Sequence, residues 1–148
     1  MPPRSLAQRK ADALDKLAHD EDAWIATASR SGVAHLVPLS FVWDGERVVT
    51  ATEARRITAR NVGASRRARL ALGATRDVVV IDAQVDLCDV AVVDGGSAGR
   101  FAARLGWDPR SYDEPWVYLL MRPVRVLAWR EVDELAGRVV MRDGEWLA

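Results

Sequence analysis

The sequence has little cysteine, little lysine, and no excess of charge of either sign. Cys88 stands alone among 148 residues, so neither an internal disulfide nor a cysteine-built metal cluster can form. His19 and His35 are the only histidines, and two imidazoles with one thiol do not make an ordinary zinc site. Lys+Arg and Asp+Glu are both 21, a balance that argues against a dedicated nucleic-acid binder, which carries a basic excess. No apolar run approaches the roughly 20 residues of a membrane span. The first residues, with Arg4, Arg9, Lys10 and Asp12, lack the apolar stretch of a signal peptide. A cytoplasmic protein without membrane or nucleic-acid partners is expected. Repeats and low-complexity linkers are missing too, so residues 1–148 read as one domain.

What is present is a set of short β-forming segments separated by turn signals. A helix is expected over 3–19, with Leu6, Lys10, Ala13, Leu14 and Leu17 on one stripe. Strands follow at Ala23–Ser29 and Ala34–Trp43. The second is so apolar that burial on much of both faces is expected. Pro38 within it cannot donate to a ladder, which marks an edge, a bulge or a break. Asp44-Gly45 signals a hairpin into a third strand, Arg47–Thr52. A short helix is expected over about Ala54–Ala64, then strands at Ala68–Gly73 and from Asp77 towards Val90 with an irregularity. Asp94 to Ser97 breaks the chain and caps a helix at Ser97–Leu105. A long strand, Trp116–Trp129, carries Pro123 and so implies a bulge, and a hairpin turning at Asp143-Gly144 closes the sequence. Six or more strands in meander order, with a few short helices, point to a small antiparallel barrel with helices outside. There is no βαβ alternation and no Gly-x-Gly-x-x-Gly, which argues against a doubly wound dinucleotide fold.

The chemistry concentrates after the third strand. Thr52 ends it, and Arg55, Arg56, Thr58, Arg60 and Asn61 follow within nine positions. A helix start presents unpaired backbone N–H groups and a favourable dipole to an anion. Threonine hydroxyls add neutral donors, and arginine adds forked, charge-assisted bonds to phosphate oxygens. The competing reading is a solvated arginine face. His35, beside an apolar run, reads as a satisfied strand residue. Ser40, His35 and Asp44 make a triad on paper only, because no nucleophile elbow is present. Asp82, Asp86, Asp89 and Asp94 read as a charged strand edge, Cys88 as a small buried residue, and Trp107 as a residue near a substrate pocket.

Five stretches, taken in order, resemble one family. They are Trp24-Ile-Ala-Thr27, the run His35-Leu-Val-Pro-Leu-Ser-Phe-Val-Trp43 after Gly32, Thr52 to Arg67, Thr75-Arg-Asp-Val-Val-Val-Ile81, and Trp129 to Trp146. Together they resemble the pyridoxamine 5′-phosphate oxidase-like family, the flavin-binding split barrels, whose relatives include users of the deazaflavin coenzyme F-420. The resemblance implies a mainly β (α+β) fold, an antiparallel split barrel of six or more strands with short peripheral helices. It implies a homodimer with two cofactor sites at its interface, and hydride transfer between the cofactor and a small organic substrate. The cofactor phosphate would lie on Thr52, Arg55, Arg56, Thr58 and Arg60, and the ring across Val37, Pro38, Leu39 and Ser40. Trp129 and Arg138 would reach the cofactor from the partner subunit. The chain departs from the family's phosphate motif at two positions: Ile57 stands where an arginine is usual, and Thr58 where a lysine is usual.

FMN and coenzyme F-420 are therefore both expected cofactors. Oxidation of pyridoxamine phosphate itself is not expected, since no second phosphate site can be identified. The alternative is a non-catalytic protein that binds or sequesters a flavin or a haem.

Overall fold

The computed structural model describes residues 2–148. Nine strands form one antiparallel sheet that curls into a half-barrel. Along the chain they are β1 (Asp22–Ala28), β2 (Ala34–Ser40), β3 (Val42–Trp43), β4 (Val48–Glu53), β5 (Arg67–Leu72), β6 (Val78–Asp89), β7 (Trp116–Trp129), β8 (Val139–Arg142) and β9 (Glu145–Trp146). Their spatial order is β2-β1-β5-β6-β7-β4-β3, with β8 added to β7 and β9 to β8. Three helices surround the sheet: α1 (Leu6–His19), α2 (Ile57–Ser65) and α3 (Gly95–Leu105). Among the described residues no helix is long and apolar enough to cross a membrane.

Alternation sets the core. In β1, Ala23, Ile25 and Thr27 point inward while Trp24 and Ala28 face out, the period-two pattern of a half-buried strand. Ile25, Leu70, Ile81, Leu119, Met121 and Val126 fill the interior, each fully buried. Helix α1 closes one end with Ala13 and Leu17, and its first turn is capped by the Ser5 hydroxyl, which accepts from the Gln8 amide. A second apolar cluster lies outside the barrel, where Phe101 and Ala98 of α3 cover Val49, Ala51 and Tyr118.

The expected second strand is two strands. The chain bends at Phe41, whose side chain enters the core and whose amide donates to the Glu21 carbonyl at 2.8 Å. β2 pairs with β1 and β3 pairs with β4, so the two sides of the bend belong to opposite edges of the sheet. Pro38 does not make the break. It sits within β2 opposite Trp24, on the outermost strand, where a missing N–H costs little. The expectation that this run is buried on both faces is overturned for the same reason: Leu36 is 59% exposed. At the other proline the expectation holds. The β6–β7 register shifts between Asp82 and Ala83, opposite Pro123 to Arg125.

The N-terminal segment is stapled to the far end of the chain. Arg4 donates from Nη2 and Nε to the buried Glu134 carboxylate, at 2.7 and 3.0 Å, and from Nη1 to Asp12 at 2.9 Å. The Arg4 and Arg130 amides add two further donors to Glu134, each at 2.8 Å. This forked, multi-donor arrangement holds the Glu134 carboxyl down to about 2.

Candidate anion-binding cleft

β4 delivers Thr52 to the rim of the barrel, and the chain then turns through Glu53 to Arg56 into α2. The edge strand β2 runs past the same rim. Between them lies a half-open cleft of about 560 Å³, lined by His35, Val37, Pro38 and Leu39 on one side and by Thr52, Arg55, Arg56, Ile57 and Thr58 on the other. The two walls differ in character. The β2 wall is apolar apart from His35, and the α2 wall carries two hydroxyls and two guanidiniums.

α2 begins later than the sequence pattern implies, at Ile57 rather than near Ala54. Arg56 is its N-cap residue, with extended backbone and no side-chain capping bond. The first amides of the helix are thus left for another acceptor, and Arg55 and Arg56 stand just outside the first turn rather than along the helix face. Both guanidiniums reach the Glu53 carboxylate, at 3.0 and 3.5 Å. Two positive charges share one negative, which leaves an excess of one at the cleft mouth. Both arginines are mostly exposed, so these pairs are weak and yield readily to a better acceptor.

The structure brings Thr52, Arg55, Arg56, Thr58, Val37, Pro38 and Leu39 to one cleft. It does not bring Ser40 or Arg60 there. Ser40 donates its hydroxyl to Asp22 at 2.7 Å, and its carbonyl accepts from the Thr50 hydroxyl at 2.6 Å. Arg60 lies on the solvent side of α2, because Thr58, Ala59, Asn61 and Val62 form the inward face. Trp129 and Arg138 pack on each other, guanidinium over ring at 5.9 Å, away from the cleft of their own chain. Two lining residues escaped the sequence reading of the site. Ile57 is expected from sequence only as a missing charge, and His35 as a satisfied strand residue. The odd-numbered positions of β2 that line the cleft include 35, 37 and 39, so alternation alone links His35 to the others once this face of β2 is known.

Trp107 is not near the cleft. It packs edge-on to Phe101 and to Trp116, at 5.1 and 5.4 Å between centroids, beneath α3. Beside this cluster the Tyr118 hydroxyl is buried without a hydrogen-bond partner among the described residues, and burial pushes its pKa up. Burial first, then Asp89 and Asp94, also push the Cys88 thiol up. The carboxylates of the expected series are dispersed: Asp82 pairs with Arg69, Asp86 with Arg66, and Asp94 caps α3.

No protein-family model matches the chain, and no curated protein matches it in sequence. Solved structures do match in fold. A putative pyridoxamine 5′-phosphate oxidase from Listeria innocua superposes with a TM-score of 0.68 at 12% identity, covering 82% of this chain and 98% of that one. An F420 reductase gives 0.63 at 18% identity, over 76% and 93%. The haem-storage protein HutZ from Vibrio cholerae gives 0.64 at 11% identity, over 81% and 94%. The fold is the split barrel of the pyridoxamine 5′-phosphate oxidase-like proteins.

Proposed function

We propose that this split-barrel chain is an oxidoreductase of the pyridoxamine 5′-phosphate oxidase-like family that binds a flavin-type cofactor, FMN or the deazaflavin F-420, in the cleft between β2 and α2. The observation that carries this reading is the amphipathic cleft itself. A flat apolar strand wall, Val37 to Leu39, faces a wall of hydroxyls and guanidiniums at an uncapped helix start. That pairing suits a ligand with an aromatic body and an anionic tail. Thr52, Arg55, Arg56 and Thr58 would hold the phosphate, and the β2 backbone would support the ring.

When bound, the cofactor supplies hydride chemistry with a small organic substrate, and the protein need only bind, orient and exclude water. Arg55 and Arg56 would exchange Glu53 for the phosphate, and Thr52 and Thr58 would fix its orientation. Leu39 and Val37 would keep water from one face of the ring.

The cleft is half open, and a second copy of the chain would close it. One row on the outer sheet face, Pro38, Trp24, Ala71, Val80 and Leu127, runs across five strands in register. Trp24 is 51% exposed there, and an apolar patch of that kind on a sheet face favours association. A homodimer formed on this row would let Trp129 and Arg138 of one chain serve the cleft of the other.

A second reading is a non-catalytic flavin- or haem-binding protein. His35 on the cleft wall, an imidazole able to ligate iron, and the shared fold with a haem-storage protein support it. Titration of the purified protein with FMN, F-420 and haemin decides among these. Quenching of flavin or deazaflavin fluorescence at micromolar ligand, followed by oxidation of the reduced bound cofactor by a small organic acceptor, supports the oxidoreductase; quenching without turnover supports a flavin-binding protein. A Soret shift with haemin that His35→Ala abolishes, with no flavin bound, supports the second reading.

A further inference from the structure

We infer that the chain carries a second anion site, distinct from the cleft, on the outer face of the sheet, and that it takes a small multivalent oxyanion with at least two phosphate or carboxylate groups. A groove of about 1010 Å³ crosses β1, β5, β6 and β7 and ends at the β8–β9 turn. Arg67, Arg69, Arg122, Arg125 and Arg142 line it, against only two carboxylates, Asp82 and Asp143. The chain as a whole is neutral, so this excess is local. Charge of one sign within a concavity focuses the field and concentrates counter-ions.

The strand register arranges these side chains in two rungs. Arg67 stands beside Gln84, which stands beside Arg122; one rung along, Arg69 stands beside Asp82, which stands beside Arg125. In the second rung Arg69 is neutralised by a forked pair with Asp82. In the first, Arg122 donates to the Gln84 amide oxygen at 2.7 Å. Arg67, Arg122, Arg125 and Arg142 have no carboxylate partner among the described residues. Unpaired like charges brought together on one sheet face oppose folding, and a ligand anion removes that opposition.

Two features shape the groove. The β6–β7 bulge adds Val124 between Pro123 and Arg125, so Arg122 and Arg125 both reach the outer face three positions apart. Bulges re-aim side chains in this way and deepen the twist. The outward positions of β1 beneath the arginines are small, Ala26 and Ala28, with Ser29 and Ser65 at the margin. Arg67 and Arg122 flank the central strand two strand spacings apart, roughly 10 Å. That span suits a ligand with two separated anionic groups, each held by a planar guanidinium fork. A small ligand needs only this local field, whereas a nucleic acid would meet a neutral molecule.

The test is calorimetric titration with inorganic tripolyphosphate, and with citrate in a parallel arm. It is run on the Arg55→Ala/Arg56→Ala protein so that the cleft does not contribute. Saturable binding of one anion per chain is expected, and Arg67→Gln/Arg122→Gln should weaken it at least about tenfold. Arg67→Lys/Arg122→Lys, which keeps the charge and loses the fork, should fall between. Whichever arm binds more tightly assigns phosphate or carboxylate chemistry. Binding unchanged by the glutamine pair, or none at about 1 mM ligand, overturns the proposal. So does sedimentation showing that the glutamine pair abolishes self-association, because the groove would then be covered by a second copy.

Discussion

Thr50 donates its hydroxyl to the Ser40 carbonyl at 2.6 Å, and so ties β4 to the end of β2, strands that share no ladder. The bond spans the split in the barrel and fixes the spacing of the two cleft walls. Thr50→Val, nearly the same in shape, leaves a carbonyl unpaired. A loss of about 1–2 kcal/mol is expected in urea unfolding, and with it a weaker grip on any ligand that touches both walls.

Substituting the mouth of the cleft should separate site from surface. Arg55→Ala/Arg56→Ala is expected to lower affinity for a phosphorylated flavin-type cofactor by about two orders of magnitude, since two charge-assisted bonds are lost. Arg60→Ala, on the solvent side of α2, should leave the same titration unchanged.

A gain should be available at Ile57. It lines the cleft and is half exposed, so an arginine there has room and water access. Ile57→Arg is expected to tighten phosphate-tail binding about tenfold, the worth of one charge-assisted bond. Equal affinity for the phosphorylated cofactor and for riboflavin in this variant would refute the placement of the phosphate.

Acid should release the N-terminal staple. The Glu134 carboxyl is drawn from 4.5 to about 2, chiefly by the Arg4 hydrogen bond. A depressed carboxyl stabilises the fold in full above its unfolded value and loses that contribution as pH falls from there towards 2. The shift corresponds to about 3 kcal/mol at most. Glu134→Gln should therefore lower the melting temperature at pH 7 and matter little near pH 2. A variant equally destabilised at both values would show that packing, not charge, is responsible.

Phe101 anchors α3 through edge contacts with Trp107 and Tyr118. Phe101→Ala should cost about 3–5 kcal/mol. It should leave cofactor affinity intact if the protein is still folded at the assay temperature, because this cluster is outside the barrel and away from the cleft.

Much of this architecture is written locally. The turns at Gly32, Gly45 and Gly144 all adopt positive φ, where glycine is favoured, and each falls where the residue pattern places a reversal. The capping of α3 by Asp94 and the bulge opposite Pro123 are also local chemistry. What escaped the sequence depends on distant partners. Phe41 carries no turn signal; it bends the chain because the core takes its ring and Glu21 takes its amide. α2 starts at Ile57 because the preceding residues form a turn of their own, with the Arg56 amide donating to the Glu53 carbonyl and extended backbone at Arg56, while Ala54 is held by the Pro115 carbonyl, 61 positions away by residue number. The buried face of α2, Thr58, Ala59, Asn61 and Val62, puts Arg60 outward, and the turn before the helix leaves Arg55 and Arg56 at the cleft. His35 was illegible for a related reason: which face of β2 lines the cleft follows from β2 lying at the sheet's edge.

The Arg4–Glu134 clamp also has a temporal meaning. The two residues are 130 positions apart, and ribosomes add about 5–20 residues per second. Arg4 and the helix behind it therefore emerge on the order of ten seconds before the buried carboxylate of the clamp exists. During that interval Arg4 has only the nearer carboxylates, Asp12 and then Asp77, to pair with. Closure of the clamp is thus set by synthesis of the segment around Glu134 rather than by any local helix or hairpin.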